Sequence, residues 1–61
     1  MKPSYLQTIQ LTAQGLPQKT IAQRLQVSRD TVHDRVDRIK KQYGAVSIPN
    51  LIYILCKNGI L

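Results

Sequence analysis

The chain has no Glu, Phe or Trp, and a single Cys and a single His among its 61 residues. Cys56 alone cannot form an internal disulfide, and His33 with Cys56 cannot supply the four ligands of a structural zinc site. No nucleophile, base and acid stand in a catalytic arrangement, so neither an enzyme nor a cofactor is expected. Long apolar runs are missing too. The longest, Leu51 to Cys56, covers six residues, far short of the ~20 needed to span a bilayer. Met1-Lys2-Pro3 does not lead into an apolar signal core. A lone Cys without an export signal fits a reducing cytoplasm.

Negative charge is the most telling shortage. Three Asp oppose nine Lys and Arg, for a net charge of +6. The three are Asp30, Asp34 and Asp37, all within one short stretch. Seven Gln stand where soluble helices often carry Glu, keeping helix propensity without repelling phosphate. So asymmetric a balance suits a polyanion, nucleic acid before an anionic membrane surface. The cations cluster around two short segments rather than along one long amphipathic helix, which disfavours a membrane partner. A chain this short buries only ~60% of its unfolded surface, so a second copy or a large ligand is the expected staple.

Gly15-Leu16-Pro17, Gly44 and Asn58-Gly59 break the chain into helix-sized segments, and no repeat or linker is visible. We expect one all-α domain over residues 1–61, with four helices at about 3–14, 18–26, 28–43 and 48–58 and no sheet. In the first, Tyr5, Leu6, Ile9, Thr12 and Ala13 share a face, while Leu11 points away. In the second, Ile21, Ala22 and Leu25 form the inner stripe. The third opens on Ser28 as N-cap with Asp30 in its first turn. Its stripe is Val32, Val36, Ile39 and Tyr43. The fourth places Leu51, Ile54, Leu55 and Asn58 on one face. Pro49, Ile52, Tyr53 and Cys56 lie on nearly the opposite face. A helix apolar on both sides has two things to bury against. One is its own core, and the other is a second molecule.

Between Gln18 and Val36, two short helices meet at the turn Gln26-Val27-Ser28. Ile21, Ala22, Leu25, Val27, Val32 and Val36 are apolar pins, with Ala22 small where the helices cross. This is helix-turn-helix spacing, in which the second helix enters a DNA major groove. On the outer side of the reader helix, His33, Asp34 and Asp37 are candidates for base contact: His33 as donor to a purine, the acids as acceptors from cytosine N4. Lys19, Arg24, Arg29, Thr31, Arg35, Arg38 and Lys41 are candidates for backbone phosphates. The same face also reads as a solvated surface stitched by Asp34–Arg38 and Asp37–Lys41 pairs.

Ala13-Gln14-Gly15-Leu16, Lys19, Ile21-Ala22, Leu25, Val27-Ser28, Thr31-Val32, Val36, Ile39 and Gly44 resemble the LuxR/FixJ (GerE-like) DNA-binding domain. The resemblance covers essentially the whole chain. It implies four helices, a third-helix reader in double-stranded DNA and a homodimer through the fourth helix. On that basis the expected function is a bacterial or phage transcription regulator at the nucleoid, with Pro49, Ile52, Tyr53 and Cys56 at the dimer interface. Met1 and the Gly59-Ile60-Leu61 end fit a stand-alone chain. The sequence departs from the family's usual Lys at His33 and Asp37 and from its turn Gly at Gln26, which shifts the expected DNA preference and not the fold. The rival reading is a small interaction protein that pairs with a LuxR-type regulator and antagonises it.

Overall fold

A computed structural model describes residues 1–61, and it contains four helices and no strand. They are α1 (Pro3–Ala13), α2 (Gln18–Leu25), α3 (Arg29–Tyr43) and α4 (Ile48–Lys57). The expected all-α, four-helix class holds.

Local chemistry explains the helix starts. Pro3 opens α1, where its missing N–H would have no partner. Ser28 Oγ accepts from the Thr31 N–H at 3.1 Å and so caps α3. At α4, Ser47 Oγ accepts from the Asn50 N–H at 3.1 Å, and Asn50 Oδ1 accepts from the Val46 N–H at 3.1 Å. The Asn50 side chain thus ties the residue before the cap to the first turn, one position earlier than the return bond of a capping box.

All four helices end in one way. The N–H groups of Leu16, Val27, Ala45 and Ile60 reach back to the carbonyls of Leu11, Ala22, Lys40 and Leu55. Each closes a six-residue Schellman loop around a left-handed residue. Three of those residues are Gly15, Gly44 and Gly59, and the fourth is Gln26, at φ 57°. Gln26 is the chain's one non-glycine residue with positive φ, and it sits in the turn before the reader helix.

Two apolar clusters hold the helices. The first joins α1, α3 and α4 through Ile9, Ile39, Leu51 and Leu55. The second joins α2 to α3 through Ile21, Ala22, Val32 and Val36. The inner stripe of α3 feeds both.

The outcome departs from the sequence reading at several side chains. Leu11, expected outside, packs against the second cluster, and Ala13, expected inside, is exposed. Asn58 is exposed at the α4 C-cap rather than facing inward. Ile52, expected on the spare face of α4, packs against the first cluster, whereas Ile54 belongs to neither. The wheel could not separate them: at 100° per residue both lie about 80° from the direction midway between Leu51 and Leu55. Docking of α4 chose Ile52. Thr8 is fully buried although its type reads as polar. Its hydroxyl donates to the Ser4 carbonyl at 2.8 Å, which satisfies the donor inside the helix.

The left-handed turn generates a test. Gln26→Gly removes a Cβ penalty of ~1 kcal/mol, so calorimetry should show a melting temperature higher by roughly 4–8 °C. A lower melting temperature would mean that the Gln26 side chain stabilises the turn by more than its backbone costs.

Candidate nucleic-acid interface

The second cluster sets α2 against the first half of α3, and the Gln26–Ser28 turn fixes the angle between them. Because Val32, Val36 and Ile39 are buried, residues about 180° away on α3 face outward. Asp34, exposed, and Asp37, half-exposed, lie there, while exposed His33 stands on the flank, about 90° from the buried stripe. The helix has 15 residues and spans about 22 Å, long enough to lie along a major groove about 12 Å wide.

The backbone-contact candidates divide by location. Lys19 and Arg24 are exposed on α2, and Arg29 is exposed at the start of α3. Thr31 is half-buried and engaged with Ser28, their hydroxyls 2.9 Å apart. Arg35 is half-buried and turned toward α1, where its Nη1 donates to Thr8 Oγ1 at 3.3 Å. Arg38 and Lys41 are exposed but already partnered. Arg38 Nε lies 2.9 Å from Asp34 Oδ2, and Lys41 Nζ lies 3.1 Å from Asp37 Oδ2. Both are the intrahelical i, i+4 pairs that the spacing implies.

These pairs shape the titration of the face. The Lys41 hydrogen bond, and then its charge, hold the Asp37 carboxyl below its ordinary value. Partial desolvation opposes this, and His33 and Lys40 add to it. Asp34, by its charge and then its hydrogen bond, raises the Arg38 guanidinium above its ordinary value, with Tyr5 contributing further. At neutral pH the outer face therefore carries fixed charges of both signs.

A separate surface lies on α4. Pro49, Tyr53 and Cys56 are exposed along one side, with Tyr53 62% accessible. Val46 and Ile48 are also exposed, at the start of the helix. Lys57 Nζ sits 6.0 Å from the centre of the Tyr53 ring. Of the four residues expected at a dimer interface, Ile52 alone is drawn toward the core.

The family model of the homeodomain-like domain, a helix-turn-helix unit, matches residues 6–47. The chain belongs to this family. The homeodomain-like match takes in nearly all of α1, all of α2 and α3, and the turn that joins the last two. It ends at the Ser47 cap and leaves α4 outside, so it shows the helix-turn-helix and not the LuxR/FixJ kinship specifically. No curated protein and no solved structure matches the chain. No helix of this homeodomain-like protein is long and apolar enough to cross a membrane.

Sequence reasoning missed the polar seam between α1 and α3, where Thr8 meets Arg35 and Tyr5 lines one groove with Arg38. Each side carries helical spacing, but the register between the two helices is not written in either one.

The Asp37–Lys41 pair gives a titration test. A depressed folded-state pKa stabilises the fold above the unfolded value of ~3.9, and that contribution is lost as pH falls through the folded value. NMR titration of the Asp37 carboxyl should give a midpoint below that of an unfolded peptide. Lys41→Gln should move it back up.

Proposed function

We propose that the protein is a sequence-specific DNA-binding transcription regulator and not an enzyme, with α3 in the major groove. One observation carries the reading: a helix-turn-helix whose second helix leaves a full outer face free, ringed by cations on a chain of net charge +6. His33, Asp34 and Asp37 read base edges, the acids accepting from cytosine N4. Lys19, Arg24, Arg29, Thr31 and Lys41 hold phosphates, with Arg35 and Arg38 on the α1 side. The unpaired N–H groups at the α3 start favour a phosphate there as well. Such a protein works at the nucleoid, in the cytoplasm.

The finer reading is a homodimer of LuxR/FixJ type, formed through α4. Pro49, Tyr53 and Cys56 form its centre, Val46 and Ile48 widen it, and Ile52 supports it from the core side. One copy is 29 Å long, less than a helical turn of DNA at ~34 Å. Two copies joined at α4 would set reader helices in successive major grooves. Two-fold packing covers the exposed apolar surface that a monomer leaves in water.

Affinity for duplex DNA, measured by anisotropy over a salt series, should fall with a log–log slope of roughly −3 to −4 per monomer if about four phosphates are neutralised. His33→Ala should relax sequence preference among sites selected from a random pool. Binding indifferent to salt would overturn the phosphate contacts.

The two faces of α4 separate dimer from fold. Tyr53→Asp should leave the thermal transition intact and abolish cooperative binding to a palindromic site. Leu55→Asp should unfold the chain, because Leu55 is fully buried. A monomer on DNA in sedimentation would sink the homodimer and favour the rival, an antagonist that pairs with a LuxR-type regulator.

A further inference from the structure

Where the start of α1 meets the second half of α3, the surface opens into a groove of about 570 Å³, lined by Met1, Lys2, Tyr5, Arg38 and Gln42. Its polar side chains are Lys2, Tyr5, Arg38 and Gln42, so donors dominate the lining. The nearby carboxylate, Asp34, is occupied by Arg38 Nε at 2.9 Å. A guanidinium has five N–H groups, so four remain on the two terminal nitrogens. The Asp34 contact restrains the plane of the guanidinium, and Tyr5 lines the same groove. One turn earlier, Arg35 Nη1 donates to the Thr8 hydroxyl of α1 at 3.3 Å. Two arginines on one flank of α3 are thus held before any ligand arrives, Arg38 by Asp34 of its own helix and Arg35 by Thr8 of α1.

We propose that this α1–α3 groove is a second DNA-backbone site, in which Lys2, Gln42 and the terminal N–H groups of Arg38 hold a phosphodiester while Tyr5 positions Arg38. The inference rests on the DNA-binding reading above and extends it to α1, outside the helix-turn-helix proper. An open, shallow groove suits a continuous backbone better than a small molecule, which favours an enclosed, largely apolar pocket. Lys2, Arg38 and Asp34 sum to +1, so the site attracts phosphate even with its internal pair intact. Arg38 also borders the outer face of α3, so a strand gripped here flanks the groove that α3 reads. Arginine steadied in this way loses less freedom on forming its phosphate bonds.

The test uses the full chain and a duplex of random sequence, with affinity measured across a salt series. Lys2→Gln should make the log–log slope shallower by about 0.9, the loss of one neutralised phosphate. Lys57→Gln removes the same charge from the far end of α4 and should leave the slope unchanged. Tyr5→Phe should weaken binding several-fold in the native background and not at all in an Arg38→Gln background, with the melting temperature of each variant checked to be native-like. Non-additivity of that kind separates positioning from packing. If Lys2→Gln and Lys57→Gln behave alike, or Tyr5→Phe and Arg38→Gln simply add, the groove site is wrong while DNA binding stands. If the native chain binds no DNA at any salt, both readings fall.

Discussion

Everything in this fold depends on α3 being buried along one stripe only. Val32, Val36, Ile39 and Tyr43 recur at helical spacing, and the first three are essentially excluded from water. The remaining helices are organised by where they touch that stripe. Helix α2 takes the Val32–Val36 stretch, while α1 and α4 take Ile39. Because all three partners lie on one side, the opposite side of α3 stays uncovered along its length. A small domain can rarely leave so much of a central helix bare, and this bare side is the surface proposed to meet DNA.

How much of this the sequence discloses depends on whether a signal is local. Helix stops are local: Gly15, Gly44 and Gly59 mark three ends, and each is left-handed in the structure. The fourth stop carries Gln, and it was legible only because the apolar pins on either side demanded a turn there. The α3 stripe was equally plain, since four branched or aromatic side chains leave no second solution. Side chains near the edge of a face were not decidable. Ile52 and Ile54 are equivalent on a wheel, and only the docking of α4 distinguishes them. Leu11 and Thr8 depend on which neighbour α1 meets, a matter of tertiary register. For the candidate site, the outer face of α3 and its two ion pairs followed from spacing alone. The α1 side of the site did not, because Arg35 meeting Thr8 joins residues 27 positions apart.

The placement of negative charge has a physical logic within this frame. In a chain of net charge +6, all three carboxylates lie on the helix proposed to meet a polyanion. Asp30 occupies the first turn, where the helix dipole favours it. Asp34 and Asp37 each hold a cation one turn ahead. On an exposed helix such pairs add little stability. On the proposed DNA-binding reading they also moderate the positive field of α3, so that contact with phosphate alone is less favourable than contact in which the acids also find donors.

The division of the core into two clusters governs how the molecule comes apart. No side chain belongs to both, and α3 is the one helix that contributes buried residues to each. The chain's last residues, Ile60 and Leu61, fold back past Gly59 onto the cluster that α4 anchors. Loosening of α4 therefore exposes Ile9, Ile39, Leu51 and Leu55 together, while Ile21, Ala22, Val32 and Val36 keep their own contacts. The buried side chains thus fall into two groups that meet along a single rod, α3. Helix α3, shared by both, is where slow amide exchange is expected to persist longest.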